Sequence, residues 1–227
     1  LIRKAGDVIP EIFGVLHDLR KEDSVPFFMP KMCPECASVL VKEYVGKSSS
    51  AAWYCHNKEC PAKHLEGLIH FVSKKGMNID GMGERIIEEF CGLGLIDTFT
   101  SIYHLKKEDI APLSGFGEKS ADNLISAIES SREVSFSRFI FALGIRHVGE
   151  TTAKDIARHF ANVADFMSTT KEDLLLIDGV GEKVADSIID FFADSKNKKE
   201  VEDLIGELSI AYEVKQGVLL EGLTFVI

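Results

Sequence analysis

Four of the five cysteines fall into two close pairs, Cys33-Pro34-Glu35-Cys36 and Cys55-His56-Asn57-Lys58-Glu59-Cys60. The spacing is C-x2-C, a gap of eighteen residues, then C-x4-C. Each short knuckle lets two thiolates converge on one ion, and two knuckles complete the tetrahedron preferred by a structural Zn2+. Four thiolates leave no open coordination position, so the expected role is structural. Buried free thiols are the plainer alternative, and His56 can replace one cysteine as ligand. The gap holds Val39–Val45 and Ala51–Tyr54 around Gly46-Lys47-Ser48-Ser49-Ser50, which reads as a β-hairpin carrying the knuckles at its base. So small a module has little core, and metal binding would supply much of its folding free energy. Cys91 stands apart in a helix-like stretch and reads as a small, buried apolar residue.

A second pattern recurs every 32–34 residues after residue 70. Its copies are Ile79-Asp80-Gly81-Met82-Gly83-Glu84, Leu113-Ser114-Gly115-Phe116-Gly117-Glu118, Ile145-Arg146-His147-Val148-Gly149-Glu150 and Ile177-Asp178-Gly179-Val180-Gly181-Glu182. Amphipathic helices follow, for example Lys119–Glu129 and Lys183–Phe192, and helix-like stretches precede. Thr170-Lys171-Glu172-Asp173 has the form of a capping box.

Each unit therefore reads as helix, Gly-h-Gly turn, helix. The first glycine supplies φ > 0. The apolar residue between (Met82, Phe116, Val148, Val180) plugs the core. The second glycine lets an outside group approach the free N–H groups and positive dipole end of the next helix. A phosphate oxygen fits there without a lysine, and a phosphate carries no base identity. One Gly-x-Gly is usually an ordinary helix-capping turn; four at one period favour the phosphate reading. The glutamate after each second glycine suits the helix dipole but disfavours phosphate. His147 replaces a first glycine, which predicts a different turn there with side-chain contacts from Arg146 or His147. The fourth copy lies in the most acidic region, which weighs against a phosphate contact.

Net charge is −10, which alone argues against nucleic acid. The charge is uneven: residues 1–70 carry nine of each sign, residues 161–227 six basic against fourteen acidic. A global charge does not exclude a local site built from backbone amides. Arg3, Lys4, Lys74, Lys75, Arg85, Lys119, Arg146 and Lys183 are basic side chains placed to assist, although for each a solvated surface charge is the simpler role. No apolar run approaches the ~18 residues of a membrane span. There is no initiator Met or signal-type apolar region at the start, and both ends read as cut from a longer chain.

Several segments resemble NAD-dependent DNA ligases of bacteria. Arg3-Lys4-Ala5-Gly6-Asp7-Val8-Ile9-Pro10 is similar to the close of that family's OB domain. The cysteines followed by Cys60-Pro61-Ala62 and His70–Lys75 look like its zinc finger and exit. Met77–Gly83 and Phe141–Glu150 resemble its helix-hairpin-helix domain, and Leu220–Ile227 the first strand of its BRCT domain. The resemblance implies a cytoplasmic parent enzyme that seals nicks in duplex DNA during replication and repair. A lysine of a Lys-x-Asp-Gly motif there takes AMP from NAD, with Mg2+, and passes it to the 5′ phosphate. This chain departs from that pattern: Asp80-Gly81 follows Asn78-Ile79, Asp178-Gly179 follows Leu176-Ile177, and no Lys-x-Asp-Gly occurs. NAD and Mg2+ would bind outside this segment, which alone is expected to be inactive.

The expectation is thus a mainly α chain of four helix-hairpin-helix repeats with a small β zinc module. Residues 1–26 read as an OB remnant and linker, 27–66 as the four-cysteine zinc finger, 67–216 as the helical DNA-binding domain and 217–227 as a truncated BRCT start. Expected zinc ligands are Cys33, Cys36, Cys55 and Cys60. Expected DNA contacts are Gly81, Gly83, Gly115, Gly117, Arg146, His147, Gly149, Gly179, Gly181, Lys119 and Lys183. The partners would be nicked duplex DNA, read without sequence preference, and the remaining ligase domains, with no membrane. Two competitors are a stand-alone helix-hairpin-helix repair adaptor and a zinc-stabilised protein-interaction module.

Overall fold

A computed structural model describes residues 1–6, 9–45 and 48–212. It divides into two compact units, Leu1–Lys58 and Glu59–Ile227. The expected terminal strand at 217–227 lies outside the described residues.

The first unit is β-structured. Strand β1 (Ile2–Ala5) pairs antiparallel with β2 (Ile9–Ile12), Ile2 opposite Ile12. A 3-10 turn at His17–Leu19 follows, then a turn closed by the Ser24 amide donating to the Lys21 carbonyl at 3.1 Å and irregular chain. Large apolar side chains here lie in solvent, Phe27 and Phe28 at 82% and 80% exposure. The expected hairpin forms from β3 (Leu40–Val45) and β4 (Ser48–Cys55), in antiparallel register Leu40 to Cys55, with an irregularity between Lys42 and Tyr44. Ser48–Ser50, expected in the connection, are strand. The Lys42 ammonium lies 5.3 Å from the centre of the Trp53 ring.

The second unit is helical. In order it contains α1 (Pro61–Val72), α2 (Glu84–Gly92), α3 (Phe99–Ile102), α4 (Lys107–Ile110), α5 (Glu118–Ser130), β5 (Glu133–Ser135), α6 (Phe136–Ala142), α7 (Glu150–His159), α8 (Val163–Met167), α9 (Lys171–Leu175), α10 (Glu182–Ala193), α11 (Ser195–Glu207) and β6 (Ser209–Ala211). Four packed pairs, α1–α2, α4–α5, α6–α7 and α9–α10, flank the four Gly-h-Gly turns. Helices α3, α8 and α11 lie outside the four pairs.

Helical spacing explains the core. Along α5, Ala121, Leu124 and Ile128 are buried; along α10, Ala185 and Ile188 are. Phe71, Phe90, Phe136, Phe139 and Phe166 are fully buried, and Phe71 stacks on Phe99 with centroids 4.4 Å apart. The parallel pair β5–β6, Val134 opposite Ile210, closes the unit. Three-residue strands carry too little alternation to be read from sequence.

Candidate metal centre and nucleic-acid interface

The C-x2-C knuckle is a tight turn. The Cys33 amide donates to the Ser38 carbonyl at 2.7 Å and the Ala37 amide to the Cys33 carbonyl at 2.9 Å. Ala37 takes a left-handed φ of 56° to close it. Met32 bridges to Val39, and Leu40 faces Cys55 at the hairpin base, so the first and third cysteines are brought together by strand register. Cys60 is buried and is the N-cap residue of α1, with Pro61 at the first helical position.

The sulfurs of Cys33, Cys36, Cys55 and Cys60 all lie within 4.8 Å of one another, and those of Cys36 and Cys55 are 3.5 Å apart. Four sulfurs at about 2.3 Å from one ion would be about 3.8 Å apart, so the set fits a tetrahedral thiophilic ion. None of the five cysteines is in a disulfide. The Ser38 hydroxyl, then the Asn57 side chain, lower the Cys36 thiol to about 5. Four cysteines that can hold a metal ion are therefore in place. Cys91 is half-buried against the helical core, and burial raises its thiol pKa, in keeping with an inert apolar role.

The four turns share one geometry. In each, the amide of the central apolar residue donates to the carbonyl three residues earlier: Met82 to Ile79 at 3.3 Å, Phe116 to Leu113 at 3.0 Å, Val148 to Ile145 at 3.0 Å and Val180 to Ile177 at 3.1 Å. The first-glycine position is left-handed throughout, with φ 82° at Gly81, 85° at Gly115 and 79° at Gly179. His147 has φ 66°. The expectation of a different turn there is therefore corrected: the histidine adopts the same conformation, and its Nδ1 lies 2.9 Å from the Ser187 hydroxyl on α10. Met82, Val148 and Val180 are buried, while Phe116 is half-buried and packs against the core.

The second glycines behave differently. Gly83, Gly117, Gly149 and Gly181 are N-caps of α2, α5, α7 and α10, with extended backbone open to any residue. A Cβ added at any of them would meet nothing within 4 Å. Neither backbone strain nor internal crowding requires glycine here. Of the seven other helices among the described residues, five are capped by a side chain, Thr98 on α3, Ser135 on α6, Asn162 on α8, Thr170 on α9 and Asp194 on α11, while α1 and α4 are not. No side-chain oxygen of the cap residue covers the start of α2, α5, α7 or α10. At α5 the Gly117 amide donates to the Ser120 hydroxyl at 2.9 Å, so there the amides left for an external acceptor are those that follow the glycine. All these glycines, and Lys119, Arg146 and Lys183, are exposed.

Two cations beside these helix starts, Lys107 and Lys171, were not singled out by sequence reading, whereas Lys75 was. Lys107 reaches Glu118 at 2.7 Å and Asp122 at 2.8 Å, and Lys171 reaches Asp186 at 2.5 Å. Both lysines stand eight residues before their first glycine and both aspartates seven after it, a repeat-phased signal that alignment of the copies reveals. Lys75 pairs with Glu150 at 2.5 Å, joining the first turn's approach to the start of α7, and it holds the Glu150 carboxyl below its ordinary range. Glu118 and Glu150 are thus partly neutralised, while no ion pair meets Glu84 or Glu182 among the described residues.

These features define a chain of tandem helix-hairpin-helix units. A family model described as a SAM-like helix-hairpin-helix tandem matches residues 77–130, and one described as a helix-hairpin-helix motif matches 138–201. Among curated relatives, the DNA ligase of Bacillus pumilus (strain SAFR-032) is 45% identical over 92% of this chain and 30% of its own length. The DNA ligase of Bacillus subtilis (strain 168) is 44% identical over the same shares, and that of Halalkalibacterium halodurans 43%. The chain spans about a third of the length of these relatives and is homologous to one segment of bacterial DNA ligases. No helix among the described residues is long and apolar enough to cross a membrane.

Proposed function

We propose that this chain is the duplex-gripping segment of a cytoplasmic NAD-dependent DNA ligase that seals nicks in replication and repair. The observation that carries this is the set of four alike helix starts. Each is left uncapped by its residue's side chain, and each begins at an exposed glycine that local structure does not require. An acceptor with charged oxygens and no fixed base identity, a phosphate, suits such sites. Gly81, Gly115, Gly179 and His147 shape the turns. Gly83, Gly117, Gly149 and Gly181 admit the phosphates, and Lys119, Lys183 and Arg146 flank them.

In this reading Cys33, Cys36, Cys55 and Cys60 hold a structural Zn2+. Residues 1–26 are the OB remnant and linker, 27–66 the zinc finger, 67–216 the DNA-binding domain and 217–227 the BRCT start. The partners are nicked duplex DNA and the remaining ligase domains. NAD and Mg2+ belong to those domains, because this segment has no Lys-x-Asp-Gly lysine to carry AMP. Filter binding of nicked duplex at about 20 mM salt tests the reading; affinity should fall steeply as salt rises. Absence of binding at low salt removes it.

A further inference from the structure

Helix α6 does more than lead into the third turn. Its residues Arg138 and Phe141 are one helical turn apart and share a face. The Arg138 guanidinium donates from Nε to the Gly76 carbonyl at 2.5 Å and from Nη2 to the Lys74 carbonyl. His70 Nε2, in the last turn of α1, lies 2.8 Å from the Phe141 carbonyl, with the rings in tilted contact. The two carbonyls held by Arg138 belong to the segment that delivers the chain into the first Gly-h-Gly turn.

That segment has a single path. The Met77 amide donates to Phe71, Asn78 to Ser73 and Ile79 to Val72. The Ser73 hydroxyl accepts from the Gly76 amide at 3.2 Å. A Cβ at Gly76 would come within 2.4 Å of the Phe71 carbonyl oxygen, so the backbone is packed against the end of α1. A planar guanidinium holds its donors in a fixed fork, which suits two carbonyls on such a loop better than the freely rotating donors of an ammonium.

We infer that Arg138 is a positioning residue for DNA binding: from the third repeat it clamps the approach to the first turn, fixing the start of α2 relative to the start of α7. The Lys75–Glu150 pair crosses between the same two places. The inference rests on the proposed DNA reading, yet Arg138 itself makes no phosphate contact in it. One strand held at two helix starts requires their separation to be fixed, and a clamp on backbone carbonyls supplies that independently of charge.

The test compares the 227-residue chain with Arg138→Gln and Arg138→Lys, measuring nicked-duplex affinity across a salt series and amide exchange at Met77–Ile79. Arg138→Gln should bind about tenfold more weakly, equivalent to about 1.4 kcal/mol. The slope of log affinity against log salt should stay unchanged and protection at Met77–Ile79 should fall. Arg138→Lys should be intermediate, and it carries the test if the glutamine variant does not fold. A slope reduced by about 0.9 makes Arg138 a direct phosphate ligand and overturns the inference. So does unchanged affinity with lost loop protection. Failure of the wild-type chain to bind removes the DNA reading itself, an outcome seen in a separate arm.

Discussion

Two kinds of glycine alternate in three of the four turns, and they should respond oppositely to substitution. Gly115 at φ 85° is conformationally required, so Gly115→Val should lower stability by about 1–3 kcal/mol, read as a fall in Tm. Gly117 has extended backbone and open space at its Cβ, so Gly117→Val should fold normally and lose affinity for duplex. His147 is the instructive exception, a left-handed residue with a side chain. His147→Gly should leave stability within about 1 kcal/mol of wild type, because relief of the left-handed penalty offsets the added freedom of the unfolded chain. A loss much larger than that would mean the contact to Ser187 dominates. Sequence spacing located all four turns but misread His147, because residue identity alone does not reveal that neighbours can hold a non-glycine at positive φ.

Amphipathic periodicity located the helices that follow the turns: α5 and α10 begin one residue before the expected starts and end one after the expected ends. Periodicity could not reveal what joins distant elements. Arg132, after α5, donates to Glu129, to the Glu207 side chain and carbonyl at the end of α11, and to the Tyr103 carbonyl. Its guanidinium also lies over the Tyr103 ring, whose phenol burial pushes up to about 12. Such a knot depends on the three-dimensional approach of residues 75 positions apart. His104, then Arg132, lower the Glu207 carboxyl below its ordinary range, and Arg132 lowers Glu129. A carboxyl with a depressed folded pKa binds fewer protons folded than unfolded. Its stabilisation is therefore present above about pH 4.3 and lost as pH falls through the folded value. Between pH 7 and pH 3, wild-type Tm should drop more than that of Arg132→Gln. Parallel curves for the two would show that the knot contributes nothing.

At the scale of the chain, an overall charge of −10 and a phosphate-binding role are compatible because the proposed donors to phosphate are backbone amides. The cysteine spacing alone indicated the metal set, since knuckle geometry is local; the near contact of four sulfurs agrees with it. The exposed apolar side chains between Leu1 and Met32 had no such local signal. An isolated two-stranded hairpin is marginal in water, so we expect about one zinc per chain by metal analysis. A strong chelator should release it and lower protection in β3 and β4 before the helical unit melts. Retention of that protection in metal-free protein would make the cysteines simple core residues. The most direct measurement is the affinity of the folded Gly83→Val/Gly117→Val double variant for nicked duplex at low salt, beside wild type of equal Tm. The account predicts a loss of at least about tenfold, shared equally among duplexes of unrelated sequence. Undiminished binding by the double variant would contradict it.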